Sequence, residues 1–333
     1  MSRSALALAG VLAALGALVW LLTRDQDSPT IQTGAPARLE PAATAAAAGE
    51  LVQTPAGQAP AASGAAAPPR VSNRDELALV LKARGLDADK LIAGYHDWRV
   101  ARGFLGADPL AGITAENAPD QIYAAMDRAT QKSLADSGDL GAIQAYAAGS
   151  LPGEPFTALK YYGRASELGS AAAMAEVAGI LSRFGSWSPD TVTSDPSSAE
   201  KLLALRGGDP GRDLGQDSAA WTLASIRQYG PIVATAEKMA LVEALEAESD
   251  KAAVIAVCAQ SLAILASLSA ATAGKDTGTL PPVFVTEKNL YDRLPCRDTP
   301  APVTEPRALE ACTSSPAIGS NNQPVELWIC PGN

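Results

Sequence analysis

The sequence is poor in the residues on which most catalytic and metal sites depend. It contains a single histidine, His96, and its four cysteines include no pair at the C-x-x-C spacing that many zinc sites use. A catalytic triad or dyad with a histidine base is therefore limited to His96. The G-x-S-x-G motif, the P-loop and the dinucleotide-binding glycine fingerprint are all missing. We therefore expect no metal, no cofactor and no catalysis.

Clusters of basic side chains are missing as well. The chain has 26 Lys and Arg against 36 Asp and Glu, which gives a formal net charge of −10. Binding to a phosphate backbone needs clustered Lys and Arg, so we expect no nucleic-acid partner. The same acidity argues against a folded part that lies on anionic lipid.

Aromatic residues and β-branched runs are scarce, whereas alanine is abundant. Aromatic residues make up 5% of the chain. This mixture favours closely packed helices over sheet, and the residues after Arg70 suffice for one large or two small domains. We therefore predict an all-α fold.

The most informative feature that is present is an unbroken apolar run over residues 5–22, between Arg3 and Arg24. As a helix, its 18 residues would extend about 27 Å, close to the hydrocarbon thickness of a bilayer. A cleaved signal peptide is the alternative, but it has a shorter core followed by small residues in an A-x-A pattern. Thr23-Arg24-Asp25 follows here instead. We therefore predict a transmembrane anchor over residues 1–24 that contacts the membrane through residues 5–22.

Residues 25–70 have the composition of a linker. They include 15 Ala, 7 Pro and 4 Gly and no aromatic residue. Such a stretch cannot bury enough apolar surface to offset the entropy of ordering it. We predict a disordered tether between the anchor and the rest of the chain.

Periodicity and capping signals predict a chain of helices over residues 71–275. Asp87 starts a helix that ends near Gly103. Asn117-Ala118-Pro119 starts another, because proline is favoured in the first turn. One face of that helix carries Ile122, Met126, Ala129 and Leu134.

Residues 138–184 contain a repeated pattern. Gly138 precedes a helix with Ala142 and Tyr146 facing inward, and Gly169 precedes a similar helix 31 positions later. Paired helices with a period in the thirties are typical of α-solenoids. An ordinary Ala-rich bundle is the alternative, since glycine ends many helices.

This segment resembles the Sel-one-like repeat, a relative of the tetratricopeptide repeat. The family usually has a Trp-Tyr pair where Tyr161-Tyr162 stands here. It also has a fuller Leu-Gly-x-x-Tyr signature where this chain has Ile143-Gln144-Ala145-Tyr146. The resemblance implies a helical surface that binds or organises other proteins. The residues that carry it are Ala142, Tyr146, Ala158, Tyr161, Tyr162, Ala165 and Gly169.

A further helix is predicted from about Asp250 to Ala271. It is apolar nearly all round for some twenty residues, so a second membrane span is one interpretation. A buried central or capping helix of a soluble domain is the other, and we favour it because serines, alanines and Gln260 make this run less hydrophobic than residues 5–22.

The last segment, residues 276–333, is predicted to be a small irregular tail with disulfides. Four cysteines allow three pairings, and we favour Cys312 with Cys330 as a local loop and Cys258 with Cys296 as a link to the helices. Two short apolar runs, residues 283–285 and 325–329, predict a small hairpin or ribbon.

Weak catalytic candidates remain in the helices. His96 lies within a helix and is interpreted as structural. Ser198 and Lys201 match S-x-x-K, but the K-T-G motif of penicillin-interacting enzymes is missing. Glu243, Glu246 and Glu248 are interpreted as a solvated acidic face.

Together these patterns predict a single-pass protein of the bacterial inner membrane with most of its chain in the periplasm, because the positive-inside rule favours a cytoplasmic N-terminus. The predicted function is a helical-repeat surface for a protein partner in the envelope. The alternative is a periplasmic enzyme that acts on cell-wall material.

Overall fold

The computed structural model describes residues 67–187, 196–248, 250–271, 280–296 and 307–330. The predicted anchor and nearly all of the predicted tether lie outside these residues. The predicted boundary between residues 275 and 276 also lies outside them. Within the described part, eleven α-helices precede three short β-strands, so the fold is mainly helical.

Regular structure occupies most of the described chain. The helices are α1 Arg74–Ala83, α2 Ala88–Ala101, α3 Asp120–Ala124, α4 Arg128–Ser137, α5 Leu140–Ser150, α6 Pro155–Glu167, α7 Ala171–Gly185, α8 Pro196–Leu205, α9 Leu214–Tyr229, α10 Ala236–Glu248 and α11 Lys251–Ala271. The strands are β1 Val283–Glu287, β2 Thr313–Ile318 and β3 Pro324–Ile329. Short 3-10 helices occupy Gly230–Val233, Leu290–Arg293, Arg307–Ala311 and Ser320–Asn322.

Short polar side chains set the starts of many helices. The carboxylate of Asp139 accepts a hydrogen bond from Ala142 N at 2.8 Å, and the Ser170 hydroxyl accepts one from Ala173 N at 3.0 Å. These contacts satisfy backbone donors that have no partner within the helix. The same role belongs to Asn73, Asp87, Asp127, Asp213 and Asp250.

The helix predicted to start at Asn117-Ala118-Pro119 is broken in two, which is a correction. Asp127 accepts hydrogen bonds from Thr130 N at 2.9 Å and from the Thr130 hydroxyl at 2.7 Å, and it begins α4 as a new helix. A side chain that caps a later start competes with continuation of the earlier helix. As a result, Ile122 does not join a common apolar face and is 64% exposed.

Helices α4 to α11 form what we call the helix stack. In it, α5 packs against α4 and α6, α6 packs against α7, α7 packs against α9, and α9 packs against α10 and α11. The small residues Ala142, Ala158, Ala165, Ala220 and Ala224 are completely buried. Their lack of bulk lets neighbouring helices approach closely.

The strands form a three-stranded antiparallel sheet in the order β1-β3-β2. Val283 pairs with Ile329 and Val285 with Leu327, so the two predicted apolar runs do form a ribbon. The description of the tail as irregular is corrected by this sheet, since β2 adds a third strand. Leu327 is completely buried and Ile329 nearly so, which anchors the ribbon.

A second core joins the beginning and the end of the described chain. We call it the terminal cluster: α1, α2 and the three strands. It buries Leu77, Leu81, Ile92, Leu327 and Ile329 together. Backbone pairing extends the contact, because Val71 N donates to Ile318 O at 2.8 Å and Ile318 N donates to Pro69 O at 2.9 Å. The tail therefore packs against the first two helices.

Both predicted cysteine pairings are present. The Cα atoms of Cys258 and Cys296 lie 6.1 Å apart, and those of Cys312 and Cys330 lie 4.2 Å apart. The first disulfide ties the chain after β1 to α11. The second fastens the chain just before β2 to the chain just after β3.

Among the described helices, α11 is the one that is long and apolar enough to cross a membrane by length and composition. One of its faces is buried in the helix stack, where it packs against α9. Of its apolar stretch, 33% is buried inside the fold, so the preference for a capping helix over a second membrane span stays a prediction.

Candidate functional site

The residues that carry the repeat resemblance lie in the core of the helix stack. Ala142, Ala158 and Ala165 are completely buried, and they space α5 and α6 closely. The ring of Tyr162 is 5% exposed, and burial raises the pKa of its hydroxyl. Gly169 follows α6 in a left-handed conformation with φ of 93°, which favours glycine. These residues build the scaffold and leave the contact surface to their neighbours.

Two of the signature tyrosines form an aromatic pair between α5 and α6. The ring centres of Tyr146 and Tyr161 lie 4.7 Å apart in an edge-to-face arrangement. The Arg128 guanidinium lies over the Tyr146 ring at 3.8 Å, a cation–π contact. Arg128 also donates to Tyr146 O at 2.7 Å and to the Ser150 hydroxyl. Helix α4 is thereby fixed against α5.

The Tyr161 hydroxyl connects the aromatic pair to charged side chains at the surface. It donates to Asp136 Oδ1 at 2.8 Å, while Lys132 Nζ contacts Asp136 Oδ2 at 2.8 Å. Arg164 donates to the backbone oxygen of Asp136 at 2.9 Å. Burial, followed by the hydrogen bond to Asp136, raises the pKa of Tyr161 to about 12. Burial opposes ionisation of Asp136, yet the hydrogen bonds from Lys132 and Tyr161 leave its pKa lowered.

We call this set of side chains the tyrosine rim: Arg128, Lys132, Asp136, Tyr161 and Arg164. The side chains of Lys132 and Asp136 are 53% and 48% exposed. Their polar ends are accessible, while the aromatic pair beneath them limits their freedom. Such a surface can exchange hydrogen bonds and charge contacts with a partner at a low cost in side-chain entropy.

A buried polar network supports the other side of α5, and the sequence analysis missed it. The Gln144 amide donates to the Ser170 hydroxyl at 3.1 Å, and that hydroxyl donates to Arg102 O at 3.3 Å. The Tyr229 hydroxyl donates to Gly169 O at 2.8 Å. These contacts join α2, α5, α7 and α9. The only sequence signal was Ser170, which has the type and position of a helix cap.

The structure places His96 away from the tyrosine rim. His96 lies on α2 beside a shallow surface depression of about 210 Å³ that Arg74 and Asp89 also line. Arg74 and Asp89 approach within 3.6 Å of each other. Besides His96, the depression is lined by the carboxylates of Asp89 and Asp97 and, among the described residues, by no Ser, Thr, Cys or Lys side chain, and the structural role of His96 stays a prediction.

Of the remaining catalytic candidates, Ser198 and Lys201 lie one helical turn apart on α8, while Glu243 lies on α10. Lys201 Nζ is 6.0 Å from the centre of the Phe156 ring. Glu243 is engaged by Arg293, with nitrogen–oxygen distances of 2.8 and 2.7 Å. The side chains of Glu246 and Glu248 lie outside the described residues. Glu243 therefore links α10 to the chain after β1, a contact that the sequence did not reveal.

The described residues contain no group of three or more His, Cys, Asp or Glu side chains placed to hold a metal ion. All four cysteines are in disulfides and supply no thiolate ligand. No protein-family model, curated protein or solved structure matches this chain.

Proposed function

We propose that this chain is a membrane-anchored protein of the bacterial envelope whose helix stack presents a surface to a protein partner. Residues 5–22 would hold it in the inner membrane, and most of the chain would lie in the periplasm. The proposal includes no catalytic step, no cofactor and no nucleic acid.

The tyrosine rim is the observation that carries the proposal. It combines exposed charged groups with the Tyr146–Tyr161 aromatic pair, and both of these tyrosines are among the residues by which the chain resembles the Sel-one-like repeat. That resemblance implies a role in organising protein complexes. The two disulfides add support for the compartment, because the bacterial periplasm favours disulfides and the cytoplasm does not.

Chemical cross-linking in intact cells of the native host, followed by affinity purification and mass spectrometry, tests the proposal. We expect one dominant envelope protein with the unmodified chain. The double variant Lys132→Glu/Arg164→Glu should recover it at least fivefold less. Loss of the exposed Lys132–Asp136 ion pair and the like-charge repulsion that replaces it each cost about 0.5 kcal/mol, and circular dichroism of the variant checks that the fold persists without the Arg164 hydrogen bond to Asp136 O.

The charge-matched control is Lys82→Glu/Lys90→Glu on α1 and α2, which should leave recovery unchanged. Both control residues are exposed and lie outside the helix stack. Recovery of background proteins only, or an equal loss with both double variants, would overturn the proposal. Covalent labelling of Ser198 by a β-lactam would instead support the enzymatic alternative.

A further inference from the structure

The tyrosine rim carries more positive than negative charge. Its cations are Arg128, Lys132 and Arg164, and its one carboxylate belongs to Asp136. Three positive charges against one negative charge contrast with the formal net charge of −10 for the whole chain. The three basic residues are far apart in the sequence, and the packing of α4 and α6 against α5 brings them together. The rim is therefore a local cationic surface on an acidic protein.

Within the described residues, two of the three cations form no ion pair. The ion pairs there include Lys132 with Asp136 but neither Arg128 nor Arg164. The hydrogen bonds of both guanidinium groups go to neutral oxygens. Glu167 follows Arg164 by one turn on α6 without pairing to it. The C-terminal ends of α5 and α6 offset part of the charge, but each supplies only about half a negative charge.

Arg128 is exposed and nevertheless held in one place. Its guanidinium lies 3.8 Å from the centre of the Tyr146 ring and donates to Tyr146 O at 2.7 Å. A Cβ atom on Gly149 would lie 2.6 Å from Arg128 Nη1, so the glycine leaves room for the guanidinium. A charged group that is already ordered loses little side-chain entropy when it binds. Arg128 is therefore prepared for a partner that supplies the missing negative charge.

The cations follow one line along α4. Arg128, Lys132 and Asp136 are spaced by four positions, so they lie on one face of the helix. Arg164 reaches this face from α6, where it donates to Asp136 O at 2.9 Å. The helix rises about 12 Å between the position of Arg128 and the position where Arg164 meets it. Two guanidinium groups thus mark the ends of the line, and Lys132 lies between them.

We propose that the tyrosine rim binds an acidic segment of its protein partner, through Asp or Glu side chains that pair with Arg128 and Arg164. This inference rests on the proposed function, in which the rim is the contact surface. A carboxylate matches the planar fork of a guanidinium and completes the pairing that the fold leaves open. Carboxylates about 12 Å apart reach both ends of the line, which takes roughly four residues of extended chain or two turns of helix.

An anionic lipid surface is the competing ligand, because phosphate groups also bind guanidinium groups. Two observations favour the acidic segment. The net charge of −10 opposes the approach of the folded part to an anionic bilayer. Lipid recognition by basic residues uses clusters of about four to eight Lys and Arg, and the rim holds fewer. Opposite charges across a protein contact instead select the partner and speed its association.

Zero-length cross-linking with a water-soluble carbodiimide tests the proposal, because this reagent joins a lysine amine to a carboxylate that touches it. The full chain is treated in native membranes, where Lys132 is accessible with 53% of its side chain exposed. We expect mass spectrometry to find an amide between Lys132 and an Asp or Glu of the envelope protein that affinity purification recovers. Lys132→Arg keeps the charge and removes the amine. It should abolish this amide and leave recovery without cross-linker unchanged.

A second variant tests the sign of the charge. Asp136→Asn removes the carboxylate of the rim, which also competes for Lys132 in the carbodiimide reaction, and its amide oxygen can still accept from Tyr161. Recovery of the partner should rise about twofold, as expected for one exposed charge. The control is Asp75→Asn, which changes an exposed carboxyl on α1 and should leave recovery unchanged. Equal or lower recovery with Asp136→Asn, with the fold verified by circular dichroism, would overturn the proposal.

The outcomes separate this inference from the proposed function. Recovery of an envelope protein through the rim, with no amide between Lys132 and that protein, would sink the acidic segment and leave the proposed function standing. Recovery of background proteins only would contradict both. Co-purification of anionic phospholipid with the full chain, lost in Lys132→Glu/Arg164→Glu, would overturn the inference in favour of a lipid surface.

Discussion

Gly103 occupies a position where one methyl group would disturb the buried network between α2, α5 and α7. Its φ of 79° is left-handed, and an added Cβ would lie closer than 3.0 Å to Ser170 Oγ and to the Gln144 amide. Both groups are buried and hydrogen-bonded to each other. A side chain here adds steric overlap to the cost of the backbone conformation.

We therefore expect Gly103→Ala to lower the free energy of unfolding by about 3 kcal/mol. The matched control is Gly85→Ala, which has a φ of 73° and no atom within 4 Å of the added Cβ. It should cost only about 1 kcal/mol, the price of the left-handed backbone alone. Urea unfolding measures both, and equal effects would contradict the steric argument.

Glu167 is a half-buried carboxyl at the end of α6. Burial raises its pKa, and Arg164 only partly opposes the shift. A raised pKa in the folded state adds stability that is complete below the ordinary pKa of glutamate and is lost as pH rises through the folded-state value. Glu167 therefore destabilises the fold at neutral pH.

We expect Glu167→Gln to raise the melting temperature at pH 7, because the amide carries no charge to desolvate. The gain in melting temperature should shrink toward zero as the pH falls below 4, where Glu167 becomes protonated in the folded and in the unfolded chain alike. Thermal unfolding across this range measures the effect. A gain in melting temperature that does not depend on pH would show that Glu167→Gln acts through packing and not through charge. The control is Glu176→Gln, which changes an exposed carboxyl in the same way.

At the scale of elements, the contact between α3 and α5 requires a glycine on α5, because Tyr123 of α3 occupies the space that a side chain at Gly141 would need. A Cβ on Gly141 would overlap the ring of Tyr123. The Tyr123 hydroxyl is hydrogen-bonded to Asp139, the cap of α5, and burial followed by this bond raises its pKa. Glycine in a helix costs about 1 kcal/mol relative to alanine, so its presence here reflects the contact with Tyr123.

We expect Gly141→Ala to destabilise the chain despite its better helix propensity, because Tyr123 must leave its place. Gly179→Ala in α7 is the matched case, since no atom lies within 4 Å of the added Cβ. It should stabilise by up to about 1 kcal/mol. Denaturant unfolding should therefore show changes of opposite sign in the free energy of unfolding for the two variants. If both substitutions stabilise the chain, Tyr123 moves freely and the contact with Gly141 does not explain the glycine.

At the scale of the whole molecule, the two disulfides constrain loops of different lengths. Cys258 and Cys296 are 38 positions apart, and Cys312 and Cys330 are 18 apart. The chain-entropy model gives about 4 kcal/mol for the longer loop and about 3 kcal/mol for the shorter one. The longer link also holds the chain after β1 against the helix stack.

We therefore expect replacement of Cys258 and Cys296 by alanine to destabilise the protein more than replacement of Cys312 and Cys330. Denaturant unfolding, followed separately by tryptophan fluorescence and far-UV dichroism, measures both losses. For the variant that lacks Cys312 and Cys330, the two unfolding curves should still coincide. A larger loss from the Cys312 and Cys330 pair would show that the ribbon depends on its disulfide more than the longer loop does.

Local features of the fold could be predicted from the sequence. The helix starts at Asp87 and Asp250 follow from short polar caps, and the ribbon of β1 and β3 follows from two apolar runs. Strand β2 could not be found, because Thr313 to Ile318 lacks alternation and contains Pro316. Proline is tolerated there because Ile318 turns its backbone groups toward Pro69 and Val71, and Pro316 faces the same edge, away from β3.

Contacts between distant parts of the chain could not be predicted. The sequence singled out Tyr161 but not Asp136, which lies 25 positions earlier and meets it only because α4 packs beside α5 and α6. The terminal cluster depends in the same way on long-range packing of α1 and α2 with the sheet. The pattern of apolar residues identifies which face of a helix is buried, but it does not identify the element that packs against that face.

The pairing of Pro69 and Val71 with Ile318 has a mechanical consequence. Tension applied to the chain ahead of residue 67 enters the fold at this point, where two backbone hydrogen bonds of 2.8 and 2.9 Å hold the incoming segment. Force is passed to a hairpin that Cys312 and Cys330 close covalently, and not directly to the helix stack. These two hydrogen bonds are therefore the first contacts that such tension loads, ahead of α1, which begins at Arg74.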